Sequence, residues 1–381
     1  MNASSHVALE NPTVNLASDA IEIMEHCVPK PAAAGVSGTN STFVSDLITI
    51  APAPEKGLGI FSKGKDICAG TLLIAEDPIM VAPSSAHYLE AFQKLTPEQQ
   101  AQFAALSEGS KPSWSPLLKR IYKANRFAHG KQPGDSCISL VASRMNHSCA
   151  PNADFFWSDL TRQNEVYAIF DIRPDQEITI SYHDDCKALP TWVRMYFLES
   201  SWGFVCSCRA CSAGPEECWP PISDLRRLLI NRLYTGLTDE CFEDTELIFD
   251  KLATKQLRSS FSPANQTFCW FILAKLLEME GIGGRSPARA YLSAAQSLGE
   301  RISTVTATGQ NEKALENVRE WLNTSLALRR LYRHPDHWDC MLVEAHLQLV
   351  QDGELGNIGT SKTWCCPERV QDTLPCIEDM D

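Results

Sequence analysis

RMNHSCAPNA, residues 144–153, sets Asn146, His147, Ser148 and Cys149 side by side just ahead of a Pro-Asn turn. Far downstream lies the densest cysteine run of the chain, CSCRAC at 206–211, which supplies Cys206, Cys208 and Cys211. A Cys-x-Cys-x-x-Cys segment gathers three sulfurs in one tight turn, and a tetrahedral ion that prefers soft ligands needs a fourth. Cys149 is the candidate, because Ala150-Pro151-Asn152 turns the chain and can hold the thiol in one direction; Cys218 is its rival. Unrelated thiols are the plain alternative, and the ligand-like spacing weighs against it. Four thiolates leave no open coordination position, so the expected Zn2+ is structural, pinning residues 200–211 against 146–152 and bringing Phe204 near Asn146 and His147.

The chain around these stretches is that of a globular intracellular protein. Its 381 residues have room for two or three domains. No apolar run approaches the roughly 18 residues of a membrane span, and MNASSHVALENP lacks the basic and apolar regions of a secretory signal. Fifteen dispersed cysteines without such a signal read as reduced thiols plus one metal site rather than a disulfide scaffold. A formal net charge of −13 argues against a charge-driven grip on nucleic acid and suits a basic peptide as partner.

Composition divides the chain. Residues 1–42 (KPAAAGVSGTNST within them) read as a flexible leader, and 353–381, ending IEDMD, as a flexible acidic tail. LGIFSKGKDICAGTLLIAEDPIM at 58–80 reads as strand, turn, strand, and LTPEQQAQFAAL at 95–106 as a helix with Thr96 as N-cap and Pro97 at its first position. Short strands return in DSCISLVAS, ADFFW, EVYAIFDI and QEITISY. From 220 to 352 the apolar residues recur at helical spacing, giving five or six helices, with Gly281, Gly283 and Gly284 between two of them and Ser223 and Ser286 as caps.

Four stretches in order resemble the SET-domain proteins, specifically the MYND-related group and its fungal members. KGLGIFS at 56–62 resembles the first glycine motif of that family, and RMNHSCAPNA its Asn-His-Ser-Cys segment. AIFDIRPDQEITISY at 168–182 resembles the strands that end in the catalytic tyrosine, and WGFVCSCRAC at 202–211 the cysteine-rich post-SET segment. Two departures stand out. No Cys/His-rich MYND finger is legible between 60 and 135, and RPDQE carries Asp175 where the family often has glycine, a residue that tolerates such a turn.

The resemblance implies an α+β fold: a β-rich SET core of β-clip type over 43–200 with a helical insert at about 84–130, a zinc-bound post-SET loop at 201–218 and an all-helical C-terminal domain at 220–352. It implies a protein-lysine methyltransferase that uses S-adenosyl-L-methionine on a lysine-bearing protein or peptide, a histone tail among the options, acting as a monomer in nucleus or cytoplasm. Tyr182 matches the catalytic tyrosine. Lys56, Gly57, Leu58, Gly59, Asn125, Asn146, His147, Phe204 and Tyr182 itself match cofactor positions, with Asn146 and His147 acting largely through backbone groups and Phe204 stacking on the adenine. Asp184 and Asp185 read as a solvated loop or as an attraction for a basic peptide. A non-catalytic SET scaffold is the second reading, and a metal hydrolase is disfavoured because an all-thiolate ion activates no water.

Overall fold

The computed structural model describes residues 42–110, 115–129, 134–158, 161–183, 185–212, 222–238, 263–304, 311–333 and 337–355. Nearly all of the expected leader and tail, together with Cys218 and Asp184, lie outside the described residues. Among those residues no helix is long and apolar enough to cross a membrane.

Three small sheets build the first half. One runs β1 (Phe43–Val44), β4 (Leu72–Glu76), β10 (Gln163–Ala168), β9 (Ala153–Ser158), all antiparallel. A second runs β2 (Ile48–Ala53), β3 (Gly57–Ser62), β11 (Glu177–Ile180), β8 (Asn146–His147), and its last pair is parallel. The consecutive strands β3 and β4 therefore belong to different sheets. The chain between them is steered by Gly64 and Gly70 at φ +62° and +85°, and by a bridge from Ile67 to Ile172. Buried Ile60, Leu73, Ile74, Val166 and Ile178 fill the space between the sheets, which is why these segments are so rich in β-branched residues.

The helical insert holds α1 (Tyr88–Gln93), α2 (Pro97–Ala104) and α3 (Leu117–Asn125). Thr96 caps α2 as its sequence predicts. Its hydroxyl accepts from Gln99 N at 3.2 Å, and Gln99 Oε1 accepts from Thr96 N at 3.0 Å, a reciprocal capping box. The insert ends in a strand that the sequence pattern does not predict: β6 (Arg126–Ala128) pairs with β7 (Ser136–Ile138), which pairs with β5 (Met80–Ala82). A three-residue strand has too short a pattern to announce itself, and Phe127 alone points into the core.

After α4 (Thr191–Trp202), stopped by Gly203 at φ +79°, and the irregular stretch 203–212, every described element is a helix: α5 (Ile222–Leu237), α6 (Pro263–Met279), α7 (Arg285–Thr304), α8 (Asn311–Arg330) and α9 (Trp338–Asp352). Ser223 and Ser286 fall just inside the first turns of α5 and α7 rather than before them, and the Ser223 hydroxyl donates instead to Glu280 Oε2 at 2.5 Å. The Gly-Ile-Gly-Gly turn between α6 and α7 presses on the sheet half. A Cβ on Gly283 would stand 2.9 Å from the Phe170 ring, and one on Gly284 (φ +77°) 2.8 Å from an Asp154 oxygen. Only glycine allows that approach. Charges deepen the contact: Glu280 accepts from Arg226 and Arg227, whose guanidinium also reaches the Lys187 carbonyl.

Candidate functional site

The Pro-Asn turn after Cys149 is sewn to β11. Asn152 donates to the Glu177 carbonyl at 2.9 Å and accepts from Thr179 N at 2.8 Å, while Ser148 N donates to the Ile180 carbonyl at 2.9 Å. Together with the parallel pairing Thr179 to Asn146 and Ile180 to His147, these bonds fix the 145–152 segment alongside the strand that leads to Tyr182.

On the far side of that segment the four sulfurs meet. Sγ atoms of Cys149, Cys206, Cys208 and Cys211 all lie within 4.8 Å of one another. Cys149 stands 4.0 Å from Cys206 and 3.6 Å from Cys211, and its backbone N–H donates to Cys208 Sγ at 3.4 Å. A tetrahedron with Zn–S bonds of about 2.3 Å has edges of about 3.8 Å, so the sulfurs stand where a structural zinc would need them. Arg194 of α4 lies wholly buried beside them. Its guanidinium donates to the Ala210 carbonyl at 2.7 Å, lies 3.4 Å from Cys211 Sγ, and has Asp224 of α5 at 3.9 Å. A tetrathiolate zinc carries two net negative charges, and a buried cation at that distance offsets part of them.

Tyr182 is held at both ends by this segment. Its hydroxyl donates to the Met145 carbonyl at 3.0 Å and its backbone N–H to His147 Nδ1 at 3.0 Å. Burial, reinforced by the Glu177 carboxylate, pushes the phenol above its ordinary range, so it stays a neutral donor. Trp202 and Phe204 wall its ring at centroid distances of 5.6 and 6.2 Å, and Phe204 also lies 6.0 Å from His147.

Beyond the tyrosine, the Lys56–Gly59 loop forms a rim. Gly57 sits at φ +81° with open space where a Cβ would be, and Leu58 is exposed. Gly59 is crowded instead: a Cβ there would lie 2.9 Å from Asn146 Nδ2 and 3.0 Å from Glu177 Oε1. Glu177 ties the rim together, accepting from Lys56 Nζ at 2.8 Å and from Asn146 Nδ2 at 2.8 Å, while Asn146 Nδ2 also reaches the Leu58 carbonyl at 3.1 Å. Sequence reasoning misses Glu177, although it stands inside the QEITISY stretch, and misses Arg194, the single charge within LPTWVRMYFL. Asn125 stands apart at the end of α3, where its Nδ2 is spent on the Ser107 and Ile121 carbonyls at 2.6 and 2.7 Å.

Residues 57–183 match the family model described as the SET domain. Those residues carry a SET domain. Among curated SET proteins the chain is similar to histone-lysine N-methyltransferase set5 of Schizosaccharomyces pombe, 33% identical over 186 residues, which covers 49% of this chain and 56% of that one. The human protein-lysine N-trimethyltransferase SMYD5 is 37% identical over 104 residues, 26% of this chain and 25% of its own length. The SET5 protein of Meyerozyma guilliermondii is 40% identical over 85 residues, 22% of this chain and 17% of that one. The chain thus aligns with little more than half of the first of these relatives and a quarter or less of the others.

Proposed function

We propose that the protein transfers a methyl group from S-adenosylmethionine to a lysine side chain of a protein, the activity named for its SET relatives. The cofactor would supply an electrophilic methyl on a sulfonium. Lys56, Gly57, Leu58 and Gly59, with Phe204 and the backbone groups of Asn146 and His147, would hold it, Asn125 more remotely, and the open space beside Gly57 suits close approach of a ligand to backbone. A lysine ammonium with pKa near 10.4 has no free lone pair at neutral pH. The Tyr182, Trp202 and Phe204 rings offer an apolar wall that favours the neutral amine, and the Tyr182 hydroxyl would orient it.

The observation that carries this reading is the double tether of Tyr182, which holds a neutral phenol beside the glycine rim. In this reading residues 43–200 are the SET domain, 201–218 the post-SET segment and 220–352 a helical domain, and the protein works as a monomer inside the cell on a histone or another lysine-bearing protein. Incubating purified protein with labelled S-adenosylmethionine and a protein extract tests it. Labelled protein is expected, and Tyr182→Phe should cut the rate at least tenfold while cofactor affinity stays within threefold. Cofactor binding without transfer would leave a non-catalytic scaffold as the better account.

A further inference from the structure

His147 faces two partners, and together they fix its proton. The backbone N–H of Tyr182, 3.0 Å from Nδ1, can only donate, so Nδ1 must present its lone pair. In the neutral ring the hydrogen then sits on Nε2, 3.2 Å from Cys149 Sγ. The other tautomer and the imidazolium would both set two hydrogens against each other at Nδ1. A metal-bound thiolate keeps enough negative charge to accept an N–H, and such outer-shell donors tune metal sites.

We infer that His147 is a positioning residue: its neutral, Nε2-protonated imidazole links the Cys149 thiolate to the Tyr182 backbone, so the metal site sets where the tyrosine stands. The register supports this. His147 pairs with Ile180 across the parallel strands, and its ring extends along the strand end to the N–H two residues further on. With the hydroxyl already held by Met145 O, both anchors of Tyr182 come from the segment that ends in Cys149. Its side chain is thereby engaged on both nitrogens, which leaves only backbone groups at this position for a cofactor. The kinetic half of the inference rests on the proposed methyl transfer; the metal half does not.

Two substitutions separate the two links. In His147→Asn the carboxamide oxygen can take the place of Nδ1 but nothing reaches Cys149. In His147→Gln the amide N–H can reach Cys149 but the Nδ1 acceptor is lost. In the full chain loaded with Co2+, His147→Asn is expected to shift the thiolate-to-cobalt charge-transfer band and to release metal to a chelator about tenfold faster. His147→Gln should keep the wild-type band and lower kcat at unchanged KM. S-adenosylmethionine affinity should stay within threefold in both. An unchanged band and release rate in His147→Asn, or a tenfold loss of cofactor affinity in either variant, would overturn the inference. Should the variants fail to fold, 15N spectra of the wild-type zinc protein decide: a buried imidazole protonated on Nε2 alone supports it, and one protonated on Nδ1 defeats it. If wild type transfers no methyl, the proposed activity fails while the cobalt and 15N results still judge His147.

Discussion

The sheet half and the helical half bury polar groups for different ends. Beside the site, buried polar side chains of the sheet half address particular backbone atoms: Asn152 spans Glu177 O and Thr179 N, and His147 takes Tyr182 N. Such bonds specify where a site stands. Among the helices buried charges bind one element to another, as Arg227 does with Glu280, and Arg329 with Asp339 at 2.9 Å and the Ala288 carbonyl at 2.9 Å. These fix how helices stack and how the stack sits on the sheets. Damage in the first half should therefore reach the chemistry, and damage in the second should reach stability and leave the site intact.

Metal removal is the strongest test of that division. Structural zinc is worth on the order of 10 kcal/mol in small zinc domains, and here the four sulfurs join two segments of the sheet half, at Cys149 and at 206–211, with no ligand from α5 to α9 among the described residues. Chelation, or Cys149→Ser, should lower the melting temperature further than any single substitution among the helices. Hydrogen exchange should then quicken first at 145–152 and 204–211, while α6 to α8 keep their protection. Equal loss of protection in both halves would break the comparison.

Glu280→Ala attacks the other half. It leaves the buried Arg227 and the half-buried Arg226 without their shared carboxylate, and breaking a buried pair costs about 3–5 kcal/mol. Urea unfolding should register that loss, while zinc content and cofactor affinity per folded molecule remain at wild-type values. Zinc loss from the folded variant would mean that the Arg194–Asp224 contact between α4 and α5 carries more of the metal site than its 3.9 Å separation suggests. Gly283→Ala is milder, because its backbone has ordinary φ and the cost is steric alone: the new Cβ meets Phe170 at 2.9 Å and Ile169 at 3.2 Å. Overpacking of that kind costs about 1–3 kcal/mol, and pairing it with Phe170→Leu should recover part of the loss.

What could be foreseen from the sequence follows the same division. The Cys149 gathering with the downstream cysteines was legible because ligand number and spacing are chemical constraints that survive without coordinates. Asp175 was legible in the same way: it takes the turn at φ +57°, and its carboxylate accepts from Gly64 N at 3.2 Å. The helices were legible as amphipathic runs, but not which faces meet. Glu280 and Arg227 lie far apart in the chain, and nothing in either neighbourhood names the other. Arg194 was invisible for that reason too, since its role exists only once α4 lies against Ala210 and Cys211.

Glu76 gives the smallest effect and the sharpest sign. At the end of β4 its buried carboxylate accepts from Val141 N at 2.9 Å and Ala142 N at 3.1 Å, holding the short turn that leads into Met145 and Asn146. Burial pushes this carboxyl above its ordinary pKa, and the amide donors only partly oppose it. A raised folded-state pKa means that the folded protein holds this proton more tightly than the unfolded chain. The associated stability is full below the unfolded pKa of about 4.3 and is lost as pH rises through the folded value. Glu76→Gln cannot titrate, so its cost, about 1 kcal/mol for a weakened buried hydrogen bond, should be larger at pH 4 than at pH 7. Urea unfolding of both proteins at the two pH values measures it, with metal terms cancelling between them. A cost that grows toward neutral pH would show that the amide donors outweigh burial at Glu76. The turn would then be an anion site, held by charge in the way the helical half is.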